Sequence, residues 1–263
     1  MNKLKKRVLL RAPLLTSSGY GVHSRQVFEF LYNRSDIELD VEVLNWGQTS
    51  WLVNPDLENG LVGKIMSCAR GVKPPYDYSF QVQLPDEWDT KLAKKNVGIS
   101  AVVETDFCNP KWIEKCNDMD LVIVPSSFTK SVLERSGNVK KRVEVVPEWF
   151  NNEILINEEN DLKEFANKKF NFYTPFNLMM IGQITGQDPW SDRKNIFFGI
   201  KWFFETFADR PDVGLILKTN SGKSSLTKMR ISSTAKVSES MIPTAARRRS
   251  AIGFMRLFAV AAL

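Results

Sequence analysis

Acidic and hydroxyl side chains in this chain follow directly after short apolar runs. Three runs end in this way: 97–103 in Glu104, Thr105 and Asp106, 121–124 in Ser126 and Ser127, and 143–146 in Pro147 and Glu148. Carboxylates accept hydrogen bonds from hydroxyl groups and stabilise positive charge that develops during a reaction. We therefore interpret Glu104 and Asp106 as candidate catalytic residues, with the alternative that Asp106 only caps the following turn. Ser127 is interpreted as structural, because serine commonly begins a helix.

Basic side chains near residue 200 form a second candidate group. Arg193 and Lys194 precede an apolar helical run at 196–207, and Lys218 follows an apolar run at 213–217. Cations and the free amides of a helix end stabilise phosphate groups. Cations at these positions can contact an anion, and the alternative for Arg193 and Lys194 is a solvated helix start. Cations at a helix N-terminus oppose the helix dipole and so do not stabilise the helix. Their presence there favours a role in function over a role in stability.

A glycine-containing turn, TSSGYG at residues 16–21, separates an apolar run from a helical pattern. Backbone amides at the start of a helix can bind a phosphate or a carboxylate. We predict that Gly19, Tyr20 and Gly21 bind a substrate, and that Gly21→Val would weaken binding without unfolding the domain. The alternative is that the glycines only allow tight packing of strand and helix. His23 is expected to lie on the surface and not to act in catalysis.

The elements that position these residues follow from the apolar periodicity. Strands are expected at 7–12, 39–44, 78–83, 97–103, 121–124 and 143–146, with helices at 22–32, 110–117 and 127–136. This alternation predicts an α/β fold with a doubly wound parallel, Rossmann-like sheet, in which ligands bind outside the carboxyl ends of the strands. Strands at 177–181 and 213–217 with a helix at 196–207 predict an incomplete second Rossmann-like domain.

Composition separates the end of the chain from the rest. The chain of 263 residues is 43% hydrophobic and 25% charged, which is typical of globular proteins. Residues 221–263 contain eight of the 36 Lys and Arg residues but one of the 30 Asp and Glu residues. We expect this basic tail to be disordered or aberrant and to lack fixed packing. Weak contact with a membrane surface through the arginines at 247–249 is an alternative, whereas nucleic-acid binding is not expected because no aromatic residues interleave the cluster.

Metal binding and secretion are not indicated by the sequence. Asp118 and Asp120 imitate a metal-binding DxD pair, but they precede an apolar run instead of following one. The three cysteines form no CxxC pair, which argues against a structural zinc site. Residues 221–225 resemble part of a phosphate-binding P-loop, but its first glycine is missing. The chain has no cleavage-site pattern and no run of ~20 apolar residues, so a cytoplasmic protein is predicted.

Five segments occur in an order that is more specific than any of them alone. They are SSGYG after the first strand, ETD, VPSSF and VVPEWFN after later strands, and IGQ followed by DRKNIFFGIKWFFETF in the second unit. This order resembles the two-domain glycosyltransferases of the GT-B fold, in particular the group-1 family related to glycogen and mannosyl transferases. The resemblance extends over residues 7–220.

The resemblance implies a domain organisation and a reaction. Residues 1–151 would form an acceptor-side domain, 152–175 a linker, and 176–220 the start of a domain that binds a nucleoside diphosphate sugar. A hexose would be transferred to a carbohydrate or glycoconjugate acceptor with retained anomeric configuration and with neither a metal nor a cofactor. The implied roles are catalysis for Glu104 and Asp106, substrate binding for Gly19, Tyr20 and Gly21, and binding of the donor diphosphate for Arg193, Lys194 and Lys218.

The chain departs from the family at two positions in its second unit. Gln183 stands where the family usually has a basic residue, and a pair of glutamates separated by seven residues has no counterpart after Lys218. We therefore interpret the chain as a glycosyltransferase truncated within its donor domain, which argues against autonomous catalysis. The alternative is a non-catalytic carbohydrate- or ligand-binding module that uses the cleft of the first domain.

Overall fold

The protein forms two compact units, Met1–Asn151 and Asn152–Leu263. The computed structural model describes residues 5–47, 49–102, 105–150, 174–182, 184, 188–219 and 257–261. Each unit contains its own parallel sheet. Glu104, Gln183, the linker at 152–173 and most of the basic tail, including residues 247–249, lie outside the described residues.

The first unit is a six-stranded parallel sheet with helices between its strands. The strands are β1 (Lys6–Ala12), β2 (Ile37–Val43), β3 (Tyr78–Val82), β4 (Lys95–Ile99), β5 (Leu121–Val124) and β6 (Val143–Val145). Their order in the sheet is β2-β1-β3-β4-β5-β6, and every pairing is parallel. The helices are α1 (Gly19–Tyr32), α2 (Leu61–Cys68), α3 (Pro110–Asp118) and α4 (Ser127–Ser136). The predicted α/β, Rossmann-like fold is confirmed.

Local sequence explains where these helices begin. The side chains of Ser18, Asn109 and Ser126 each accept a hydrogen bond from a backbone N–H in the first turn of α1, α3 and α4. Such caps satisfy amides that have no partner inside the helix. Helix α1 therefore begins at Gly19, three residues before the predicted start, and Ser126 rather than Ser127 caps α4.

The core of the first unit consists of two apolar clusters. One joins β1, α1 and α2 through residues that include Leu10, Phe28 and Ile65, and the other joins α3, β5 and α4 through residues that include Cys116 and Leu133. Burial of these side chains supplies the main favourable free energy for holding the helices against the sheet. The strand ends, which carry the candidate site residues, are positioned by this packing.

The second unit contains a smaller parallel sheet. Its described elements are β7 (Phe176–Ile181), α5 (Ile196–Thr206), β8 (Val213–Thr219) and β9 (Leu257–Ala261), and the strand order is β7-β8-β9. The apolar side of α5 packs Ile196, Phe197 and Ile200 against Leu215 and Leu217 of β8. Strand β9 belongs to the basic tail but pairs with β8, so the expectation that the tail lacks fixed packing is wrong for residues 257–261.

Among the described residues, no helix is long and apolar enough to span a membrane, and no cluster of metal-binding side chains occurs. Cys68, Cys108 and Cys116 are buried free thiols. Burial raises the pKa of Cys116 to about 12, so this thiol is protonated at neutral pH.

Candidate functional site

The carboxyl edge of the first sheet brings together the start of α1 and the residues that follow β4. The hydroxyl of Tyr20 lies 3.0 Å from Ser100 Oγ and accepts a hydrogen bond from the backbone N–H of Ala101 at 3.1 Å. The Tyr20 ring stacks on Trp46, with 4.2 Å between ring centroids. Burial raises the pKa of Tyr20 above its ordinary value of 10.0, although the Ser100 hydrogen bond acts in the opposite direction. Tyr20 is therefore a neutral hydroxyl fixed at this edge.

The two glycines of the predicted substrate loop differ in their surroundings. A Cβ atom on Gly21 would lie 2.1 Å from the carbonyl oxygen of Thr16, whereas a Cβ on Gly19 would meet no atom within 4 Å. The N–H of Gly21 donates to Ser18 Oγ at 2.9 Å. Gly21 is therefore required for close packing between the loop and α1, and the expectation that Gly21→Val leaves the fold intact is wrong.

The segment after β4 carries the predicted catalytic carboxylates. Asp106 is exposed in a bend, and Glu104 lies outside the described residues. Asn109, not Asp106, caps α3, since its side chain accepts a hydrogen bond from the N–H of Lys111 at 3.1 Å. Val102, just before this segment, has a φ of 60° and is 6% exposed. A buried β-branched residue in the left-handed region stores backbone strain of about 1–3 kcal/mol, a feature that concentrates at functional sites.

A polar contact that the sequence did not indicate lies between α1 and the residues after β6. His23 is 7% exposed, and its Nδ1 lies 3.3 Å from Glu148 Oε1. One turn further along α1, Gln26 Nε2 donates to the carbonyl oxygen of Trp149 at 2.5 Å. Burial lowers the pKa of His23, and the Glu148 carboxylate opposes that shift. The expected surface position of His23 is wrong, because His23 is buried. Glu148 and Trp149, which contact this face of α1, belong to residues 146–150, which we call the strap.

The second unit presents its cations at the carboxyl edge of β7 and β8. The N–H of Gly182, directly after β7, donates to the carbonyl oxygen of Lys218 at the end of β8, with a length of 3.0 Å. A Cβ on Gly182 would lie 2.8 Å from Ile196 Cδ1, so the end of β7 touches the start of α5. Arg193 and Lys194 precede α5 and are exposed. The fold thus places Arg193, Lys194 and Lys218 along one edge.

An acidic side chain already occupies the start of α5. Asp192 is 5% exposed, and its Oδ2 accepts a hydrogen bond from the N–H of Ile196 at 2.7 Å. Asn195, the residue just before the helix, has a φ of 57° and makes no side-chain cap. The helix end is therefore not an empty anion site, because the Asp192 carboxylate already accepts a hydrogen bond from its first turn.

Asp118 and Asp120, which imitate a metal-binding DxD pair in the sequence, have structural positions. Asp120 Oδ2 accepts a hydrogen bond from the N–H of Asn96 at 2.8 Å, and its Oδ1 lies 2.8 Å from Lys95 Nζ. The hydrogen bond with Lys95 is the main reason why the pKa of Asp120 is lowered. Asp118 is the last residue of α3. The prediction that this pair is a loop and a helix end agrees with these contacts.

Solved structures similar to this chain have low sequence identity to it. HepE from Anabaena in complex with UDP and glucose has a TM-score of 0.50 and 12% identity, covering 97% of this chain and 69% of its own. The N-terminal domain of trehalose-6-phosphate phosphatase from Candida albicans has a TM-score of 0.54 and 12% identity, covering 100% and 74%. A trehalose-6-phosphate protein from E. coli bound with UDP-2-fluoro glucose has a TM-score of 0.51 and 8% identity, covering 98% and 74%.

The fold is GT-B-like. No protein-family model and no curated protein matches the sequence. At these identities the likeness concerns the fold alone, and the role of each site residue depends on the geometry given above. Two of the three similar structures contain UDP or a UDP sugar.

Proposed function

We propose that this chain is a GT-B glycosyltransferase of the group-1 kind whose second unit binds the diphosphate of a nucleotide sugar. The first unit takes a carbohydrate or glycoconjugate acceptor at the edge formed by Tyr20 and Asp106. The reaction is transfer of a hexose with retained configuration and without a metal ion.

The main support for this proposal is that the end of β7, the end of β8 and the start of α5 approach one another at Gly182. Its N–H fixes the end of β8 beside β7, and its missing side chain lets α5 begin at the same edge. Lys218 lies near the end of β8 and two cations precede α5, so the proposal assigns the diphosphate to this strand-end edge, where open parallel sheets bind ligands. Departing diphosphate gains negative charge as the glycosidic bond breaks, and cations stabilise that charge.

Two features limit how tightly the second unit can hold the donor. The Asp192 carboxylate lies at the start of α5, where it repels a phosphate. Residues 221–263 contain a single acidic residue, Glu239, so the family's pair of glutamates has no counterpart after Lys218. We expect weak binding of nucleoside diphosphate sugars, with a Kd above ~1 µM, and no measurable turnover by the chain itself.

Calorimetric titration with UDP-, GDP- and ADP-sugars tests the proposed diphosphate site. Lys218→Met and Lys194→Met are each expected to weaken binding by about tenfold, because each removes a charge-assisted contact to phosphate. Lys201→Met is the matched control, since Lys201 lies within α5 and pairs with Glu205 at 2.7 Å. Sub-micromolar binding by the unaltered chain, or an equal loss with Lys201→Met, would contradict the proposal.

A non-catalytic carbohydrate-binding module is the second candidate function. The Tyr20–Trp46 stack favours it, because aromatic rings and a few fixed polar groups are common in ligand sites. Such a module would bind an oligosaccharide without any nucleotide. Trp46→Ala would weaken that binding and leave the nucleotide titration unchanged.

A further inference from the structure

Two hydroxyl groups and two backbone amides form a connected cluster between α1 and the end of β4. The hydroxyl oxygen of Tyr20 lies 3.0 Å from Ser100 Oγ. The N–H of Ala101 donates to the Tyr20 oxygen at 3.1 Å, and the N–H of Val102 donates to Ser100 Oγ at 3.1 Å. Each oxygen therefore accepts from one amide, and the hydrogen bond between the two oxygens uses the proton of one hydroxyl group.

The turn after β4 holds the two amides of this cluster in place. Val102 has a φ of 60°, in the left-handed region. The N–H groups of the successive residues Ala101 and Val102 both donate to side-chain oxygens instead of to a neighbouring strand. Successive amides that face one side form a concave set of hydrogen-bond donors. The backbone therefore fixes both hydroxyl oxygens, and only the hydroxyl protons remain free to rotate.

One hydroxyl proton of the cluster is left without an acceptor. Tyr20 and Ser100 carry one O–H proton each, and one of these two protons lies between their oxygens. Both amides of the cluster are donors and cannot accept a proton. Within the part of the chain that the structure describes, neither hydroxyl group has another hydrogen-bond acceptor. The second proton must therefore donate to a group from outside the cluster.

Burial decides which residue keeps the second proton. Ser100 is 0% exposed, whereas Tyr20 is partly exposed. A hydroxyl proton without an acceptor is costly at a sealed position, but at an accessible position it can donate to water or to a ligand. Ser100 therefore donates to Tyr20, and the Tyr20 proton is the one left over. Burial raises the pKa of Tyr20, but the Ser100 hydroxyl and the N–H groups of Ala101 and Val102 lower it, as expected when the phenol oxygen is the acceptor.

Negative charge near the cluster determines which kind of ligand oxygen the Tyr20 proton can meet. Glu87 follows β3 and Asp106 follows β4, and these two strands are neighbours in the sheet. Besides burial, the Glu87 carboxylate raises the pKa of Tyr20, so its charge acts on the hydroxyl group. The cation of β1, Arg11, is already paired with Glu42 at 3.1 Å. Carboxylates repel an anionic ligand, so the uncharged oxygen of a sugar hydroxyl group is favoured at this position.

We propose that the Tyr20 hydroxyl group is a directed hydrogen-bond donor to an oxygen of a neutral polyhydroxy ligand, and that Ser100 is the positioning residue that leaves the Tyr20 proton free for it. The hydrogen bonds from the Val102 N–H through Ser100 to Tyr20 polarise one another, which strengthens the last donor. Trp46, stacked on Tyr20 with 4.2 Å between ring centroids, restricts the plane of the phenol ring. The ligand class rests on the proposed function of this edge, whereas the direction of the Tyr20 proton does not.

Carbon NMR of the full chain labelled with [ζ-¹³C]tyrosine tests the direction of the proton. Tyr20→Phe identifies the Tyr20 signal, and the signal of Tyr76, which is 1% exposed, reports whether the unit is folded at each pH. In Ser100→Ala the midpoint of the Tyr20 titration should move to higher pH, because the phenolate loses a donor. Ser67→Ala is the control, since the Ser67 hydroxyl donates to the Lys64 carbonyl oxygen at 2.7 Å within α2, and it should leave the midpoint unchanged. A midpoint that stays in place or moves to lower pH in Ser100→Ala would overturn the proposal, because Tyr20 would then not accept from Ser100.

Titration of the same labelled chain with D-glucose and D-glucuronate at neutral pH tests the ligand class and does not depend on the stability of Ser100→Ala. Glucose should shift the Tyr20 signal with saturation, and glucuronate, which carries a carboxylate, should bind about fivefold more weakly. Glu87→Gln should reduce that difference, because it removes the repelling charge. No response of the Tyr20 signal to glucose, or tighter binding of glucuronate, would overturn the assignment to a neutral polyhydroxy ligand. Neither titration uses a nucleotide, so failure here is distinguishable from failure of the diphosphate site in the second unit.

Discussion

At the scale of single residues, two glycines in the same helical turn have different surroundings. Gly19 and Gly21 lie in the same helical turn, but only Gly21 approaches the Thr16 carbonyl group. Tyr20 lies between them and reaches across to Ser100. In this turn, Gly21 is therefore the position required for packing, and Tyr20 is the position that supplies a hydroxyl group and an aromatic ring.

Gly21→Ala is expected to lower the free energy of unfolding of the first unit by about 1–3 kcal/mol, because a Cβ 2.1 Å from the Thr16 oxygen must displace backbone. Gly19→Ala is the matched control. It adds the same methyl group at a position with no atom within 4 Å, and it should be neutral or slightly stabilising. Urea denaturation followed by circular dichroism measures both changes. Equal stabilities of the two variants would show that Gly21 is not a packing position.

At the scale of elements, the start of α5 shows how a helix end can be both capped and placed near a candidate anion site. Asp192 supplies the acceptor for the first turn, since Asn195 has a left-handed backbone and no side-chain cap. The carboxylate that stabilises the helix also reduces the attraction of its N-terminus for phosphate. Capping of the helix and repulsion of phosphate can be separated by one substitution of Asp192 that removes only its charge and another that also removes its acceptor oxygen.

Asp192→Ala is expected to destabilise the second unit by about 1 kcal/mol, because the N–H of Ile196 loses its buried acceptor. Asp192→Asn keeps an acceptor oxygen but removes the negative charge, so most of the cap should be retained. Thermal unfolding distinguishes the two variants, and calorimetry with a nucleoside diphosphate should show tighter binding for Asp192→Asn than for the unaltered chain. An alanine variant as stable as the asparagine variant would refute the capping role.

At the scale of the whole molecule, the two units have separate cores. The two apolar clusters of the first unit consist of residues between Val8 and Val143, and the cluster of the second unit lies between Met180 and Leu217. Within the part of the chain that the structure describes, each parallel sheet pairs strands of its own unit. A unit with its own core and its own complete hydrogen-bonding network can fold independently.

A fragment of residues 1–151 is therefore expected to fold alone. Its amide signals in a ¹H–¹⁵N NMR spectrum should be dispersed, and its denaturant unfolding should be a single cooperative transition. The cause is that the residues of both its clusters are present in the fragment. Collapsed signals with helical circular dichroism but no cooperative transition would show that the second unit is needed to complete the fold.

The sequence alone determined the architecture of the first unit. Apolar runs of strand length separated by helical periods predicted all six strands, because burial of regularly spaced side chains dictates local structure and the connection rules for parallel sheets leave few topologies. Strands β5 and β6 and helix α4 were placed within a residue of their observed bounds. The direction of parallel strands also predicted that Tyr20 and Asp106 lie at the carboxyl edge of the first sheet. It predicted separately that Lys218 and the cations before α5 lie at the carboxyl edge of the second sheet.

Only the tertiary structure decided which side chains meet at the edge of the first sheet. His23 and Gln26 gave no sequence signal for their contacts, because Trp149 is 123 residues away from Gln26 along the chain and no local period encodes that distance. Gly21 could not be distinguished from Gly19 until the Thr16 carbonyl group was placed beside it. Local preferences arise from neighbours in sequence, whereas burial, pKa shifts and close approach arise from neighbours in space. The strap over α1 is a contact of that second kind.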